Sequence, residues 1–400
     1  MLNETKSLIY LDNAASTPIH KEVLKEMLQN IELDYGNPSS IHELGRKSKT
    51  LIQIARKRIS KLINSDIDEI IFTSGGTESD NLAVLGMARK IRNINPRMNH
   101  IITSSIEHDA ILECCKDLEN DNFEVTYLPV TNDGYIRPKD MISSIKPSTG
   151  LITIMFANNE VGTIQPIEEL VKIAKNKNRT LIFHTDAVQA LGKIDIDVKR
   201  LNIDLMSLSS HKINGPKGIG ALYVKKGIRP NSIIHGGGQE YSIRSGTENV
   251  IGIIGFGKAC EIISKSFVYN NKKILEMKEY LIKKILDEIP NCRLNGGVNV
   301  DKVLTNIANF TFYGVNGEDL IIKLDDYGVA VSTGSACSVN KQKQSHVLKA
   351  MGFTHEEITG SLRLTVGVQN NMDEIENTIE ILKKVILELR EISPYNTKYH

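Results

Sequence analysis

Leu205-Met206-Ser207-Leu208-Ser209-Ser210-His211-Lys212-Ile213-Asn214-Gly215-Pro216-Lys217-Gly218 sets a short apolar run against a polar turn that a Gly-Pro pair closes. The apolar half reads as a buried strand, and the lysine falls where that strand ends. A lysine there is badly placed for a solvated helix face and well placed to form a Schiff base at the floor of a crevice. Ser209 and His211 beside it carry donors suited to a phosphate. An exposed loop lysine is the plainer alternative, and the string around Lys212 disfavours it.

Working outward, further apolar, β-branched runs occur at 70–73, 100–104, 125–128, 151–156, 181–184 and 220–224. Between them lie segments of helical period, such as Leu51, Ile54, Ala55, Ile59 and Leu62. This alternation predicts an α/β fold built from βαβ units around a mostly parallel sheet. Polar strings follow the runs directly: Ser74-Gly75-Gly76-Thr77, Glu107-His108, Asn158-Asn159-Glu160 and Thr185-Asp186. The carboxyl ends of strands line the ligand crevice of such a sheet, so these residues converge on one place.

From about residue 267 the texture changes to a Lys-rich amphipathic helix, strand-like runs at 307–312 and 362–366, and a closing helix at 373–390. The expectation is a large domain over 16–262 and a smaller α+β domain made of 1–15 and 263–400, because 400 residues exceed what one core organises. Charge is balanced at 49 basic against 48 acidic residues, without blocks, which gives no reason to invoke nucleic acid or an acidic membrane. Residues 1–10 hold too short an apolar run for a signal peptide, and no segment reads as membrane-spanning. Five cysteines without a CxxC pair or metal-ligand spacing fit a reducing cytoplasm.

Individual residues carry chemistry with varying force. Gly76 and Thr77 lie in a glycine-rich turn before a segment of helical pattern, 80–89, whose N-terminal N–H groups suit a phosphate, although a plain turn capped by Thr77 reads the same way. Asp186, with Gln189 three residues on, can hydrogen-bond a protonated pyridine nitrogen or simply cap a helix. Cys337 lies in Ser332-Thr333-Gly334-Ser335-Ala336-Cys337-Ser338, a run of small residues with neither helical nor strand period, which suits an accessible thiol. Cys114, Cys115, Cys260 and Cys292 read as small buried hydrophobes. Arg363, among alternating apolar neighbours, either grips a carboxylate in a bidentate fork or faces water on an edge strand. His108 can stack on a ring and shuttle protons, or be structural.

Together these strings resemble the cysteine desulfurases of the NifS/IscS type, within the class V aminotransferases of fold type I. Tyr10-Leu11-Asp12-Asn13-Ala14-Ala15, Tyr35-Gly36-Asn37-Pro38-Ser39-Ser40-Ile41-His42, His235-Gly236-Gly237-Gly238-Gln239-Glu240 and Arg244-Ser245-Gly246-Thr247 extend the likeness over nearly the whole chain in the family's order. The resemblance implies a seven-stranded sheet, pyridoxal 5'-phosphate as cofactor, L-cysteine as substrate, and alanine plus a persulfide as products. By it Lys212 is the Schiff-base lysine, and Gly76, Thr77, Ser209 and His211 form the phosphate site. Asp186 meets the ring nitrogen, Gln189 the ring hydroxyl, and His108 the ring face. Asn159 and Arg363 hold the substrate carboxylate, and Cys337 takes the sulfur. Thr247 resembles the residue that reaches the phosphate of a partner subunit, implying a homodimer. Cys337 stands nine positions before His346, as in the family's group I with its longer loop. An iron–sulfur scaffold or a tRNA-thiolating enzyme is the implied sulfur acceptor. Val368-Gln369 stands where many relatives carry an arginine.

Overall fold

In the computed structural model, which describes residues 8–32, 35–297, 299–334 and 344–392, the apolar runs pair into one central sheet. After the two-residue strand β1 (Ile9–Tyr10) come β2 (Ile70–Thr73), β3 (His100–Ser104), β4 (Glu124–Leu128), β5 (Thr149–Thr153), β6 (Ile182–Asp186), β7 (Leu205–Ser209) and β8 (Gly220–Val224). Their order is β2-β8-β7-β6-β5-β3-β4, with β8 antiparallel to both neighbours and the remaining pairs parallel. All but the edge strand β4 are buried along their whole length, because helices cover both faces. That is why the strands read as continuous apolar runs and do not alternate. The pleat sends Ile70 and Phe72 into one core and Ile71 into the other.

Four helices precede the middle of the sheet: α1 (Lys21–Ile31), α2 (Glu43–Leu62), α3 (Gly76–Ile94) and α4 (Asp109–Asn120). α3 follows β2 and α4 follows β3 after short turns, which places both helix N-termini at the strands' carboxyl ends. Gly220 at the start of β8 is required there, since a Cβ would lie 2.7 Å from the backbone of Gly75 in the turn before α3.

A second sheet consists of β9 (Cys292–Asn295), β10 (Ile307–Phe312) and β12 (Ser361–Thr365), antiparallel in the order β12-β10-β9. β1 pairs in parallel with β11 (Val329–Ala330), so Ile9 and Leu11 join the core of this second layer, while Ala14 already belongs to the first. The helix Met372–Ile392 covers it.

Two expectations are corrected in detail. The run 151–156 is a strand only to Thr153, because Ile154, Met155 and Phe156 are buried coil, and composition cannot separate buried coil from buried strand. The change of texture near residue 267, like the boundary expected after residue 262, falls inside one 39-residue helix, Val250–Glu288. Ile253, Phe256, Ala259 and Cys260 pack into the large core, whereas Ile274, Met277, Leu281 and Ile285 pack into the second. The texture marks a change of packing partner along an unbroken helix.

The segment Gln239–Ile243 was not legible in the sequence. It forms a left-handed turn, with φ of 43° at Glu240, 58° at Tyr241 and 60° at Ser242. Side-chain residues resist that conformation, so surrounding contacts must impose it. The Glu240 carboxylate accepts from Arg56 at 2.9 and 2.6 Å and from the Phe72 N–H at 2.7 Å, all out of water. Glu240→Ala would strand the Arg56 guanidinium in the core and is expected to cost about 3–5 kcal/mol in denaturant unfolding. A loss under about 1 kcal/mol would show that water reaches Arg56.

Candidate active site

Lys212 sits at the end of the turn after β7, and its ammonium donates to the carbonyls of Ala14 at 2.6 Å and Ala15 at 2.8 Å. The N-terminal segment lies against this turn through Thr17 N–H and Thr17 hydroxyl, both donating to His211 O, and through His20 N–H to Asn214 O. The lysine thus closes one side of a cavity of about 230 Å³ at the carboxyl ends of the strands.

The sequence residues gather there. His108 caps α4, its Nδ1 accepting the Ala110 N–H at 3.1 Å, which in the neutral ring puts the proton on Nε2. Asp186 ends β6, with Oδ1 accepting the Val188 N–H at 2.9 Å. Burial raises its pKa, opposed by His108 and Lys212 across the cavity. Gln189 donates through Nε2 to Ala14 O at 2.9 Å, leaving a buried Oε1 without a partner among the described residues. Asn159 lines the cavity too, and its backbone carbonyl accepts from Arg363 at 2.8 Å.

Gly76, Thr77, Ser209 and His211 line the same cavity and a second one that adjoins it at the N-terminus of α3, about 350 Å³ in volume. A side chain at Gly76 would stand 2.8 Å from Val188, so the backbone can approach only as glycine. The Ser209 hydroxyl is 1% exposed at residue level and has no partner among the described residues. His211 is pushed down to about 4 by burial and by the nearby Lys212, Lys217 and Lys193, so it is neutral at pH 7.

Arg363 does not face water: it is 2% exposed, on β12, and opens onto the cavity. Its guanidinium donates to Asp12 Oδ1 at 2.9 Å, to Asn159 O and to Gly334 O, while Nε has no partner among the described residues. Sequence reasoning missed Asp12 as this partner, although the string Leu11-Asp12-Asn13 was in view. It also missed Asp80, a buried carboxyl on α3 that lines the cavity, because its helical setting looks ordinary, and it gave no role to the buried Glu107 in the string quoted with His108. Thr247 is not among the lining residues. It lies in a smaller pocket with Arg244, which is tied to Glu78 at 2.8 and 3.2 Å. Gln369 donates to Asn13 Oδ1 at 2.8 Å.

Cys337 lies outside the described residues, and so do residues 393–400. The described residues on either side of its segment are at the cavity: Gly334 and His346 line it, and His346 Nε2 stands 2.9 Å from Glu107 O. Cys114, Cys115 and Cys260 are buried, and Cys292 is half-buried in the second layer. Burial pushes the Cys114 thiol up to about 12 and raises Cys115 and Cys260 further.

The mostly parallel sheet with a lysine at its strand ends defines the fold type I class, whose members depend on pyridoxal phosphate. A family model described as aminotransferase class V matches residues 9–378, and the chain belongs to that family. Within it the chain is a member of the NifS/IscS type. It is 47% identical to cysteine desulfurase IscS of Methanosarcina thermophila over 390 residues, covering 98% of this chain and 95% of that one. The cysteine desulfurase IscS of Dictyoglomus turgidum is 46% identical over 394 residues, covering 98% of each. Among solved structures, a NifS-like protein superposes with a TM-score of 0.89 at 34% identity, covering 96% of this chain and all of that one. SspA in complex with cysteine superposes at 0.80 with 38% identity, covering 91% and 100%.

Proposed function

We propose that this chain is a cysteine desulfurase, taking sulfur from L-cysteine to leave L-alanine and a persulfide on Cys337. The observation that carries the reading is the convergence of Lys212, Asp186, Gln189 and Ser209 on one cavity beside Arg363, with described residues on both sides of Cys337 at its rim.

The free polar atoms suit pyridoxal phosphate. Ser209 Oγ and the α3 N-terminus at Gly76 and Thr77 would hold the phosphate, helped by His211. Gln189 Oε1 is an acceptor awaiting a ring hydroxyl, Asp186 offers a carboxylate to the ring nitrogen, and His108 offers its face. The amine of Lys212 would be the point of covalent attachment. When bound, this group supplies an electron sink for charge developing at the substrate α-carbon. Asp186 keeps that sink protonated, and Arg363 with Asn159 orients the substrate through its carboxylate.

The Cys337 thiolate attacks the substrate sulfur. The carbon–sulfur bond breaks, a sulfur–sulfur bond forms, and the three-carbon fragment gains protons to become alanine. Sulfur therefore leaves as a neutral atom's equivalent, and no external oxidant is needed. The protein works as a homodimer in the cytoplasm, with Thr247 completing the partner's phosphate site, and hands its persulfide to an iron–sulfur scaffold or a tRNA-thiolating enzyme. Among the described residues no helix is long and apolar enough to cross a membrane.

For Arg363→Ala, the half-saturating cysteine concentration is expected to rise on the order of a hundredfold, the loss of a shielded bidentate pair. Arg363→Lys, which keeps charge without the fork, should recover only part of it. Steady-state kinetics reads both, and an unchanged half-saturation in Arg363→Ala would confine this arginine to bracing Asp12 and Gly334.

A further inference from the structure

Around Asp186 three buried carboxyls lie close enough to act on one another, and Asp80 lines the cavity beside it. Asp80 on α3 is 1% exposed, Glu107 is 0% exposed and Asp186 is 6% exposed. They differ in how many donors they receive. Glu107 accepts the Ser104 hydroxyl at 2.5 Å and the Met155 N–H at 2.9 and 3.0 Å. Asp186 accepts the Val188 N–H and looks across the cavity toward Lys212 and His108. Asp80 has only the Ser207 hydroxyl beside it, and its Oδ1 has no partner among the described residues.

The strand register explains what surrounds Asp80. Thr153 is opposite His184, and Asp186 is opposite Ser207, so His184 and Asp186 emerge on one face of β6. His184 Nδ1 lies 2.8 Å from Thr153 Oγ1, and its Nε2 lies 3.0 Å from Ser207 Oγ and 3.8 Å from Asp80 Oδ1. Burial pushes His184 down to about 3, so it is neutral and offers no positive charge to a carboxylate. A buried carboxylate is stable only with several donors or a cation, and Asp80 has neither. As an acid it completes a one-way chain: Asp80 O–H to Ser207, Ser207 O–H to His184 Nε2, and His184 Nδ1–H to Thr153.

We propose that Asp80 is a positioning residue that holds its proton at neutral pH, leaving Asp186 as the carboxylate that faces the cofactor's ring nitrogen. The inference rests on the functional reading given above. A second ionised carboxyl beside Asp186 would raise its affinity for a proton and blunt its pairing with the ring. Burial raises Asp80 first, then Asp186, while the Ser207 hydroxyl opposes and Glu107 adds to the rise; the Cys114 thiol nearby is neutral.

Asp80→Asn keeps the shape and removes the titration. With the folded pKa of Asp80 above its unfolded value near 4, wild-type stability is full below that value and is lost as pH rises. The full-length wild type and Asp80→Asn are unfolded in denaturant across about pH 5 to 8. The unfolding constant of wild type relative to the variant should climb by up to about tenfold per pH unit. Glu107, pushed up to about 8 by burial, titrates in both proteins, so the ratio reads Asp80 together with its coupling to Asp186 and Glu107. A flat or falling ratio means an ionised Asp80 and overturns the proposal. If Asp80→Asn does not accumulate folded, isotope-edited infrared spectra of wild type labelled at aspartate decide. A protonated aspartyl carbonyl band at neutral pH, with cofactor bound, is expected, and carboxylate bands alone would refute it. Neither readout depends on turnover, whereas cofactor affinity in Asp186→Asn tests the underlying functional reading separately.

Discussion

Lys212→Ala is expected to yield a folded protein whose cofactor washes away after borohydride treatment, and whose turnover of cysteine falls by at least about a thousandfold. The loss is large because, among the described residues, Lys212 carries the only amine that lines the cavity, between the phosphate side at Gly76 and the ring side at Asp186. The fold should survive. Lys212 donates to Ala14 O and Ala15 O at the cavity wall, and removing those bonds costs about 1–3 kcal/mol, which water entering the cavity offsets in part. Mass spectrometry of the reduced protein gives the answer directly: the cofactor's mass stays on a Lys212 peptide in wild type and on none in the variant. The competitor is Lys193, which burial and the neighbouring Lys212 push down to about 7, so that its amine is partly unprotonated near neutrality. It donates to Gln189 O and lines a separate cavity behind Lys212, not the one that holds Asp186. Cofactor trapped on Lys193 in wild type would displace Lys212 from its assigned role.

The strands, the crossing helices and the cavity residues were legible because each had a local cause. Six of the central strands are buried on both faces and show as unbroken apolar runs, and their polar successors mark the carboxyl edge where ligands lie. What was not legible depends on contacts distant in sequence. The left-handed turn at Glu240 exists because Arg56, 184 positions earlier, clamps its carboxylate. The sequence left Arg363 between a carboxylate grip and a water-facing edge strand, because nothing local announces Asp12, 351 positions away, as its partner. Asp80 reads as an ordinary helix residue four positions after Gly76, and only the β6–β7 register puts Ser207 and His184 against it. The helix Val250–Glu288 hid in plain view, since one face changes cores midway while its backbone does not break.

The central claim is that sulfur passes from cysteine to the Cys337 thiol. Among the described residues no cysteine lines the cavity, and three of the other four are buried on helices with their thiols held protonated. Among the described residues no second thiol acceptor is in reach. The segment carrying Cys337 begins after Gly334, whose carbonyl Arg363 holds, and ends before Ser345, whose hydroxyl donates to the buried Glu160 at 2.6 Å. Cys337→Ala should therefore bind cofactor and cysteine as wild type does, since the bonds of Lys212 to Ala14 O and Ala15 O and of Arg363 to Asp12, Asn159 O and Gly334 O remain. The deciding measurement is alanine released by Cys337→Ala under saturating cysteine, with protein-bound persulfide followed in the same samples. The account predicts alanine at least about a thousandfold slower than wild type and no persulfide on the chain; alanine at the wild-type rate would contradict it and make the thiol incidental to the chemistry.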